Sequence, residues 1–541
     1  MNRRLINVVT TWAFTIGISW SLIFPPNVSA YEDALVRETV SLGPSREPVL
    51  DHPKQAAEAQ KKLNALSSKK GRRPNIVVVL MDDIGWGDIG VYGGGIAVGA
   101  PTPNIDRLAR SGLRLTSTYS QPSCSPTRAT LLTGRLPRRH GLLRPPMAGE
   151  KGGLEGEITM AELLRESNYV TQAVGKWHLG ENEASQPQNV GFDDFYGFLG
   201  VANMYTEWRD PAFQPDIVNK PERQEWMRNV AFNRFLVHGE RGKKLKQVRE
   251  IDLEVFKQLD EEWAEYSSKF IHRMKNSDEP FFLYHATTGA HFDNYPPDKF
   301  KGMSPAGYPY KDVVVQLDDI VGRLVKALEE TGQLENTLIF VTSDNGPEME
   351  TWWDSGYTPF RGAKGSTYEG GVRVPGIAYW KGMIAPGRES DGLFDMADIF
   401  ATSLSLAGVP EKVPSDRFID SIDQTSFLLS DSGESNRKFL YYWLADTFSA
   451  VRVGEYKFMT AGIDNGVPND SWNAGGFTGV EQKYKYGKVF NLYLDPKETH
   501  NFLLRKLPYI SIWQNAIFAH METFKRYPPK VVVRPPGATD D

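Results

Sequence analysis

The chain has 541 residues, of which 40% are hydrophobic, 24% charged and 12% aromatic, an ordinary globular composition in a length that calls for more than one hydrophobic core. A formal net charge of −5 excludes a polycationic binder, so no nucleic-acid partner is expected. There is a single cysteine, which excludes an intrachain disulfide, and no internal repeat, heptad run or low-complexity tract.

Residues 1–30 read as an export signal. Arg3 and Arg4 form its basic end, Leu5 to Phe24 its apolar run, and Val28-Ser29-Ala30 a small-residue cleavage site. The run is long enough to leave an uncleaved anchor as a second reading, but Thr10, Thr11, Thr15, Ser19 and Ser21 dilute it and favour cleavage. The expected location is therefore periplasmic or secreted, with no stable membrane partner. In that setting a stray thiol is a liability, so a single retained cysteine points to chemistry. Residues 31–71 form a polar N-terminal extension or linker with a helix over Gln55 to Lys70 and a solvated basic end.

The first core element, Asn75 to Leu80, is a continuous apolar run suited to a strand buried on both faces. It ends in Asp82-Asp83. Adjacent acids at the tip of a buried strand are costly unless paired or bound to a metal, and strand tips are where open α/β sheets place ligands. Pro103 to Ala109 opens a helix that Gly112 ends. Then comes Ser123-Cys124-Ser125-Pro126-Thr127-Arg128-Ala129-Thr130-Leu131-Leu132-Thr133-Gly134. Pro126 suits a first helical turn, which places Cys124 at or just before a helix N-terminus, where free N–H groups favour negative charge. A nucleophile that handles an anionic ester belongs there. A small core thiol is the alternative, but it leaves the Pro and Arg spacing unexplained. Arg135, Arg138, Arg139 and His140 read as surface or ion-paired groups.

Ile158 to Ser167 reads as a helix and Tyr169 to Val174 as a strand running into Gly175-Lys176-Trp177-His178. Residues two apart in an extended chain share a face, so Lys176 and His178 can reach one site, although Lys-x-His alone also fits a surface lysine. Residues 202–260 are charged and aromatic. They read as an insertion over the mouth of the site that helps select substrate, or as a solvated excursion of helix and loop. A helix over Leu253 to Met274 and a strand over Phe281 to Tyr284 follow, then a structural His285 and a loop carrying His291. The stripe Val314, Leu317, Val321, Leu324 marks a helix whose acids Asp318 and Asp319 read as solvated or ion-paired. A second buried strand, Thr337 to Thr342, again ends in acid, Asp344-Asn345. Asp82, Asp83, Asp344 and Asn345 together make an oxygen cage for a hard divalent cation.

Trp352 and Trp353 read as a sugar-stacking platform or a hydrophobic lid. Phe360 to Pro375 is glycine-rich, which permits close backbone approach, and its Lys364 offers a compact cation. Glu369 and Arg373 read as a structural pair. Asp398 to Leu406 is a helix. From Phe439 the pattern changes to short strands, then the Asp495-Pro496-Lys497-Glu498 turn and an amphipathic helix over Leu507 to Arg526, with a loosely held tail.

These motifs resemble the sulfatase family, over roughly residues 72–505. The cysteine stretch carries C-x-P-x-R-x-x-L-L-T-G at every defined position. Asn168 to His178 follows G-Y-x-T-x-x-x-G-K-x-H, with Asn168 where glycine is usual. Arg361 to Pro375 follows R-G-x-K-x-x-x-Y-E-G-G-x-R-x-P. Val489 to Asn501 follows the family's closing L-Y-x-L-x-x-D-P-x-E-x-x-N, with Val489 and Phe490 in place of Leu and Tyr. After His291 the chain has Asp293 and Asn294 where the family commonly has proline.

The resemblance implies an α/β fold: a large alkaline-phosphatase-like mixed sheet between helices (residues 72–425) and a smaller C-terminal α+β domain (426–541). It implies that a maturation enzyme oxidises Cys124 to formylglycine. Asp82, Asp83, Asp344, Asn345 and modified Cys124 would then ligate one divalent cation, Ca²⁺ in preference to Mg²⁺ because carboxylates with an amide suit looser geometry. By the same resemblance Arg128 steadies the aldehyde hydrate, Lys176, Lys364 and His291 face the sulfate or the leaving oxygen, and His178 takes a hydroxyl proton. The reaction implied is hydrolysis of an aryl or carbohydrate sulfate monoester. A serine nucleophile would stall as a stable ester, whereas a hydrated aldehyde can expel sulfate. A phosphomonoester or phosphonate hydrolase on the same fold is the enzymatic alternative, and a non-catalytic carbohydrate-binding protein follows if Cys124 stays unmodified.

Overall fold

The computed structural model describes residues 33–146, 150, 152–201, 207–230, 234–351, 354–464 and 476–530. The expected export signal, Trp352, Trp353 and the tail from Val531 lie outside them. A large sheet contains β1 (Asn75–Met81), β2 (Leu113–Tyr119), β3 (Val170–Lys176), β4 (Asp194–Phe198), β5 (Phe235–Glu240), β6 (Lys246–Glu250), β7 (Phe281–Ala286), β8 (Thr337–Ser343), β9 (Arg373–Tyr379), β10 (Arg388–Ser390) and β11 (Phe394–Asp395). Its order is β10-β2-β9-β8-β1-β7-β3-β4-β5-β6, with β11 also paired to β2. The central run β8, β1, β7, β3 and β4 is parallel; β9 and β5 pair antiparallel on either side of it.

Strand β1 shows why the sheet lies between two layers. All seven of its residues are buried, and alternate side chains feed opposite cores. Ile76, Val78 and Leu80 join one cluster with Leu131, Leu132 and Phe282; Val77, Val79 and Met81 join another with Ile105, Leu317 and Val321. Each such side chain contributes about 1.5–3 kcal/mol on leaving water. The helix Pro309–Glu330 packs on the second face and uses Asp318 in a way its spacing does not reveal. Asp318 accepts N–H bonds from Asn104 (3.2 Å) and Ile105 (2.8 Å), capping the helix Pro103–Arg110, so it is neither solvated nor ion-paired. Asp319 does pair, with Arg323 at 2.9 Å.

Two segments read as peripheral are built into the body. Within 202–260, β5 and β6 form a hairpin that extends the sheet, with Leu236 and Val237 buried, so this part is not a solvated excursion. Its outer strand is exposed at every residue and carries Lys246, Arg249 and Glu250, the polar character that keeps an edge from pairing elsewhere and hides it from pattern reading. In the N-terminal extension, Leu35 enters the core of the small sheet and Ala59, on the helix Pro53–Lys70, that of the large one. Arg46 bridges to Ile419, and Lys69 and Lys70 pair with Glu335 at 3.3 and 3.0 Å.

Strands β12 (Phe439–Leu444), β13 (Thr447–Val453), β14 (Tyr456–Asp464) and β15 (Val480–Asn491) make a separate antiparallel sheet in sequence order. The helix Ile510–Arg526 covers one face, with Trp513 stacked on Phe458 at 5.7 Å. The other face meets Tyr119 and Tyr368 of the large body through Tyr442, Met459 and Phe490. At this junction Lys457, fully buried, reaches Glu369 (3.1 Å), Glu498 (2.9 Å) and the Thr367 carbonyl (2.6 Å). Glu369 also lies 3.5 Å from Arg373, the pairing expected of them. Lys457→Ala would take a cation from two buried carboxylates, leaving Glu369 only Arg373 as an ion-pair partner among the described residues, and is expected to cost about 3–5 kcal/mol. Denaturant unfolding checks this, and a loss below about 1 kcal/mol would show that the junction does not depend on the pair.

Candidate active site

The register Met81↔Ser343 brings β1 and β8 to an end side by side, so Asp82-Asp83 and Asp344-Asn345 leave the sheet at one point. The Asp344 N–H holds the Met81 carbonyl (3.0 Å), and the Asp83 N–H reaches the Asp344 carboxylate (3.3 Å). The helix Cys124–Thr133 starts opposite, on an extended Ser123, with every residue buried. Cys124 is its first residue, and its Sγ lies 3.5 Å from Asp82 Oδ1 and 4.0 Å from Asp83 Oδ1. One ligand atom from each of Asp82, Asp83, Cys124 and Asp344 falls within 4.8 Å of the others.

Three cations close on these three carboxylates. Lys176, the last residue of β3, places Nζ 2.5 Å from Asp82 Oδ2 and 3.8 Å from Cys124 Sγ. Lys364 places Nζ 2.8 Å from Asp83 Oδ2. Arg128, one turn into the cysteine helix, donates through Nε to Asp344 Oδ2 (2.9 Å) and through Nη1 to the Lys176 carbonyl (2.7 Å). Burial opposes the Lys364 charge, but Asp83 outweighs it and holds the ammonium well above its usual range. Burial likewise opposes ionisation of Asp82, and Lys176 and Arg128 overcome it. Asp344 is pushed up by burial and by the charge on Asp82.

That residual repulsion between carboxylates is what a cation relieves. Asn345 lends Nδ2 to Asp83 Oδ1 (2.6 Å), while its buried Oδ1 accepts no hydrogen bond among the described residues. Carboxylates and an open amide oxygen are the donors a hard divalent ion takes, so the residues present fit one. Burial first, and then Asp344, push the Cys124 thiol well above its usual range, so as an ordinary thiol it is a poor nucleophile.

His178 reaches the site by a different route from simple alternation. Strand β3 stops at Lys176, and His178 takes a left-handed φ of 58°. Its carbonyl accepts from Ser125 Oγ (2.6 Å), beside Cys124, and neither ring nitrogen has a hydrogen-bond partner among the described residues. Burial, Lys176 and Arg128 hold the ring well below the usual histidine range, hence neutral. His291 donates through Nδ1 to the Phe292 carbonyl (2.7 Å), which makes Nε2 the acceptor nitrogen. Burial, then Lys176 and Lys364, push it down to about 4. No hydrogen bond or ion pair joins it to the carboxylate cluster among the described residues, although the charges of Asp83 and Asp82 act on it. His285 is structural, bonded through Nδ1 to Ser267 (2.8 Å).

Three supporting residues escaped the sequence reading. Asp260 accepts the N–H groups of Thr288 (3.0 Å) and Gly289 (2.7 Å) and so fixes the His291 loop. Its signal is an acid on the apolar face of a helix, among Phe256, Leu259 and Trp263. Glu348, three residues past Asn345, is pushed up to about 7 by burial, with Lys364 opposing. The buried Tyr284 hydroxyl, on β7, faces the charges of Arg128 and Asp344; a tyrosine in a core strand gives no such hint.

A mixed sheet with an acid cluster fit for a cation at its strand tips, facing a helix N-terminus, makes a site suited to an anionic ligand. The Sulfatase family model matches residues 74–409, and that of the AslA C-terminal domain matches 449–525. The chain is 36% identical over 468 residues to N-acetylgalactosamine-6-sulfatase of Canis lupus familiaris, covering 82% of this chain and 84% of that one. It is 35% identical over 409 residues to human (Homo sapiens) arylsulfatase A, covering 72% and 76%. The crystal structure of PsFucS1 sulfatase from Pseudoalteromonas sp. superposes with a TM-score of 0.88 at 43% identity, over 92% of this chain and all of that one. That of Ps i-CgsB in complex with k-i-k-neocarrahexaose does so with a TM-score of 0.67 at 26% identity, over 85% and 94%.

The chain belongs to the sulfatase family. It is a sulfuric ester hydrolase, and membership implies a metal ion and a formylglycine. Cys124→Ala is expected to reduce 4-nitrophenyl sulfate turnover to background while the melting temperature moves by no more than about 4–5 °C, the cost of a small buried truncation. Retained turnover would exclude residue 124 as the nucleophile.

Proposed function

We propose that this sulfatase removes sulfate from a carbohydrate ester, with formylglycine at position 124 as nucleophile. The observation that carries the chemistry is the buried set of three carboxylates and three cations around Cys124 Sγ. The names of two relatives support the substrate class, one an N-acetylgalactosamine-6-sulfatase and the other solved with an oligosaccharide.

Asp82, Asp83, Asp344 and Asn345 would hold the cation, together with an oxygen of residue 124 where Sγ now stands. Ca²⁺ is proposed over Mg²⁺, since mixed carboxylate and amide donors suit its looser shell. The bound ion supplies positive charge that favours a deprotonated nucleophile and offsets charge on the sulfate oxygens. Formylglycine supplies a hydrated aldehyde, which can release sulfate without a stable ester.

The chain's own residues do the rest. Lys176 and Lys364, each held against a buried carboxylate, form a cationic wall for the sulfate oxygens. Arg128 holds Asp344 and the Lys176 carbonyl in register and steadies residue 124 from one helical turn away. His178, neutral and with neither ring nitrogen hydrogen-bonded among the described residues, would accept the proton of the second residue-124 hydroxyl. His291 presents Nε2 toward the leaving-group oxygen.

Residues 1–30 support export to the periplasm or outside the cell, and a formylglycine-generating enzyme would act on the chain before it folds. Among the described residues no helix is long and apolar enough to cross a membrane.

Two measurements test this reading. Turnover of 4-nitrophenyl sulfate is expected to exceed that of 4-nitrophenyl phosphate by at least about 100-fold, a difference of about 2.7 kcal/mol in transition-state binding; the opposite preference would make this a phosphohydrolase. Dialysis against a chelator is expected to lower both turnover and melting temperature, with Ca²⁺ restoring the latter more fully than Mg²⁺. An unchanged melting temperature would mean that the four oxygen ligands hold no ion.

A further inference from the structure

The loop between β14 and β15 of the small sheet comes back to the catalytic centre. Glu350, five residues past Asn345, takes three donors on one oxygen: the N–H of Gly476 (2.9 Å), the N–H of Thr478 (2.8 Å) and the Thr478 hydroxyl (2.7 Å). Bonds to a carboxylate are the strong kind, and the two from N–H groups grip the backbone on both sides of Phe477. The same turn lies against the loop that carries Lys364. A Cβ on Gly476 would stand 1.6 Å from the Lys364 carbonyl, and one on Gly365 would stand 2.7–3.0 Å from the backbone of Gly476 and Phe477. Both positions therefore require glycine. Gly365 in turn donates to the Pro122 carbonyl (2.6 Å), two residues before Cys124. The turn is thus tied at one end to the Asp344-Asn345 strand tip and at the other to the Lys364 and Cys124 loops.

Held this firmly, the turn leaves Phe477 51% exposed. A large apolar side chain in water, on a backbone already ordered on both flanks, gains nothing for folding. It does lower the cost of binding, because the ordering entropy is met before the ligand arrives. Its backbone lies against the loop whose Lys364 side chain reaches Asp83.

We propose that Phe477 is a stacking platform for the sugar ring that bears the sulfate, or for the ring next to it, and that Glu350 is the positioning residue that holds it there. The ligand chemistry is the apolar C–H face of a pyranose, which an aromatic ring covers while the hydroxyl groups stay in water. This inference rests on the carbohydrate substrate proposed above. It assigns the small sheet a part in substrate selection, through a described turn of three residues.

The test compares kcat/KM on sulfated oligosaccharides, with chondroitin 6-sulfate hexasaccharide and neocarrahexaose as the probes, against kcat/KM on 4-nitrophenyl sulfate. Phe477→Ala is expected to lower the ratio for whichever hexasaccharide is turned over by about tenfold, chiefly through KM, as loss of uniform binding predicts. Phe477→Trp is expected to restore it. Glu350→Ala should lower the ratio in the same direction, Glu350→Gln should keep most of it because the amide oxygen accepts the same bonds, and the double alanine variant should add little, since both act on one platform. If the wild-type enzyme cleaves 4-nitrophenyl sulfate but neither hexasaccharide, the carbohydrate reading and the platform both fall. If it cleaves a hexasaccharide and Phe477→Ala leaves the ratio unchanged, or Glu350→Ala depresses both substrates equally, the platform alone falls.

Discussion

Everything in this molecule is arranged around the cost of burying three carboxylates. Asp82, Asp83 and Asp344 are fully out of water at the tips of two core strands, where an unpaired charge is held only at several kcal/mol. Lys176, Lys364 and Arg128 offset that cost, and each comes from a different element: the end of β3, a glycine-rich loop and the cysteine helix. The parallel register of the central strands is what allows this, since it delivers all the tips to one edge. Opposed charges held apart in a dry site keep their strength for an anionic substrate, which in water they would lose to screening.

Much of this was legible in the chain. The apolar runs before Asp82 and Asp344 announce buried strands, and Pro126 announces the helix start at Cys124. The separate small sheet follows from the change to short strands at Phe439, whereas the α/β architecture came from the resemblance of the motifs to the family. The supporting groups were less visible, for one physical reason: their partners are remote in sequence. Asp318 looks like a surface acid until the start of the Pro103–Arg110 helix is brought to it, and Asp260 looks misplaced until the His291 loop closes over it. His178 shows the limit of strand periodicity, because the strand ends two residues before it and the chain turns. The β5–β6 hairpin stayed hidden because its outer strand is polar along its whole length.

The small sheet is more than an appendage. Lys457 places a buried cation among the carboxylates of Glu369, on the large body beside the Lys364 loop, and Glu498, on the closing turn. Glu350 makes the reciprocal contact from the large body to the turn at Gly476. Between them these ties make the geometry around Lys364 a joint property of both sheets, so substitutions far from the acid cluster can reach it through a short path of hydrogen bonds.

The depth of Cys124 also sets an order of events in the life of the chain. Only 1% of this residue remains open to solvent, behind a helix that is buried end to end and between strand tips separated by about 260 residues of sequence. An enzyme that oxidised its thiol would therefore have to reach residues 123–134 before the helix is buried and β8 pairs with β1. Conversion and folding would then compete for the same stretch, and a molecule that folded first would be sealed with an unmodified thiol at its centre.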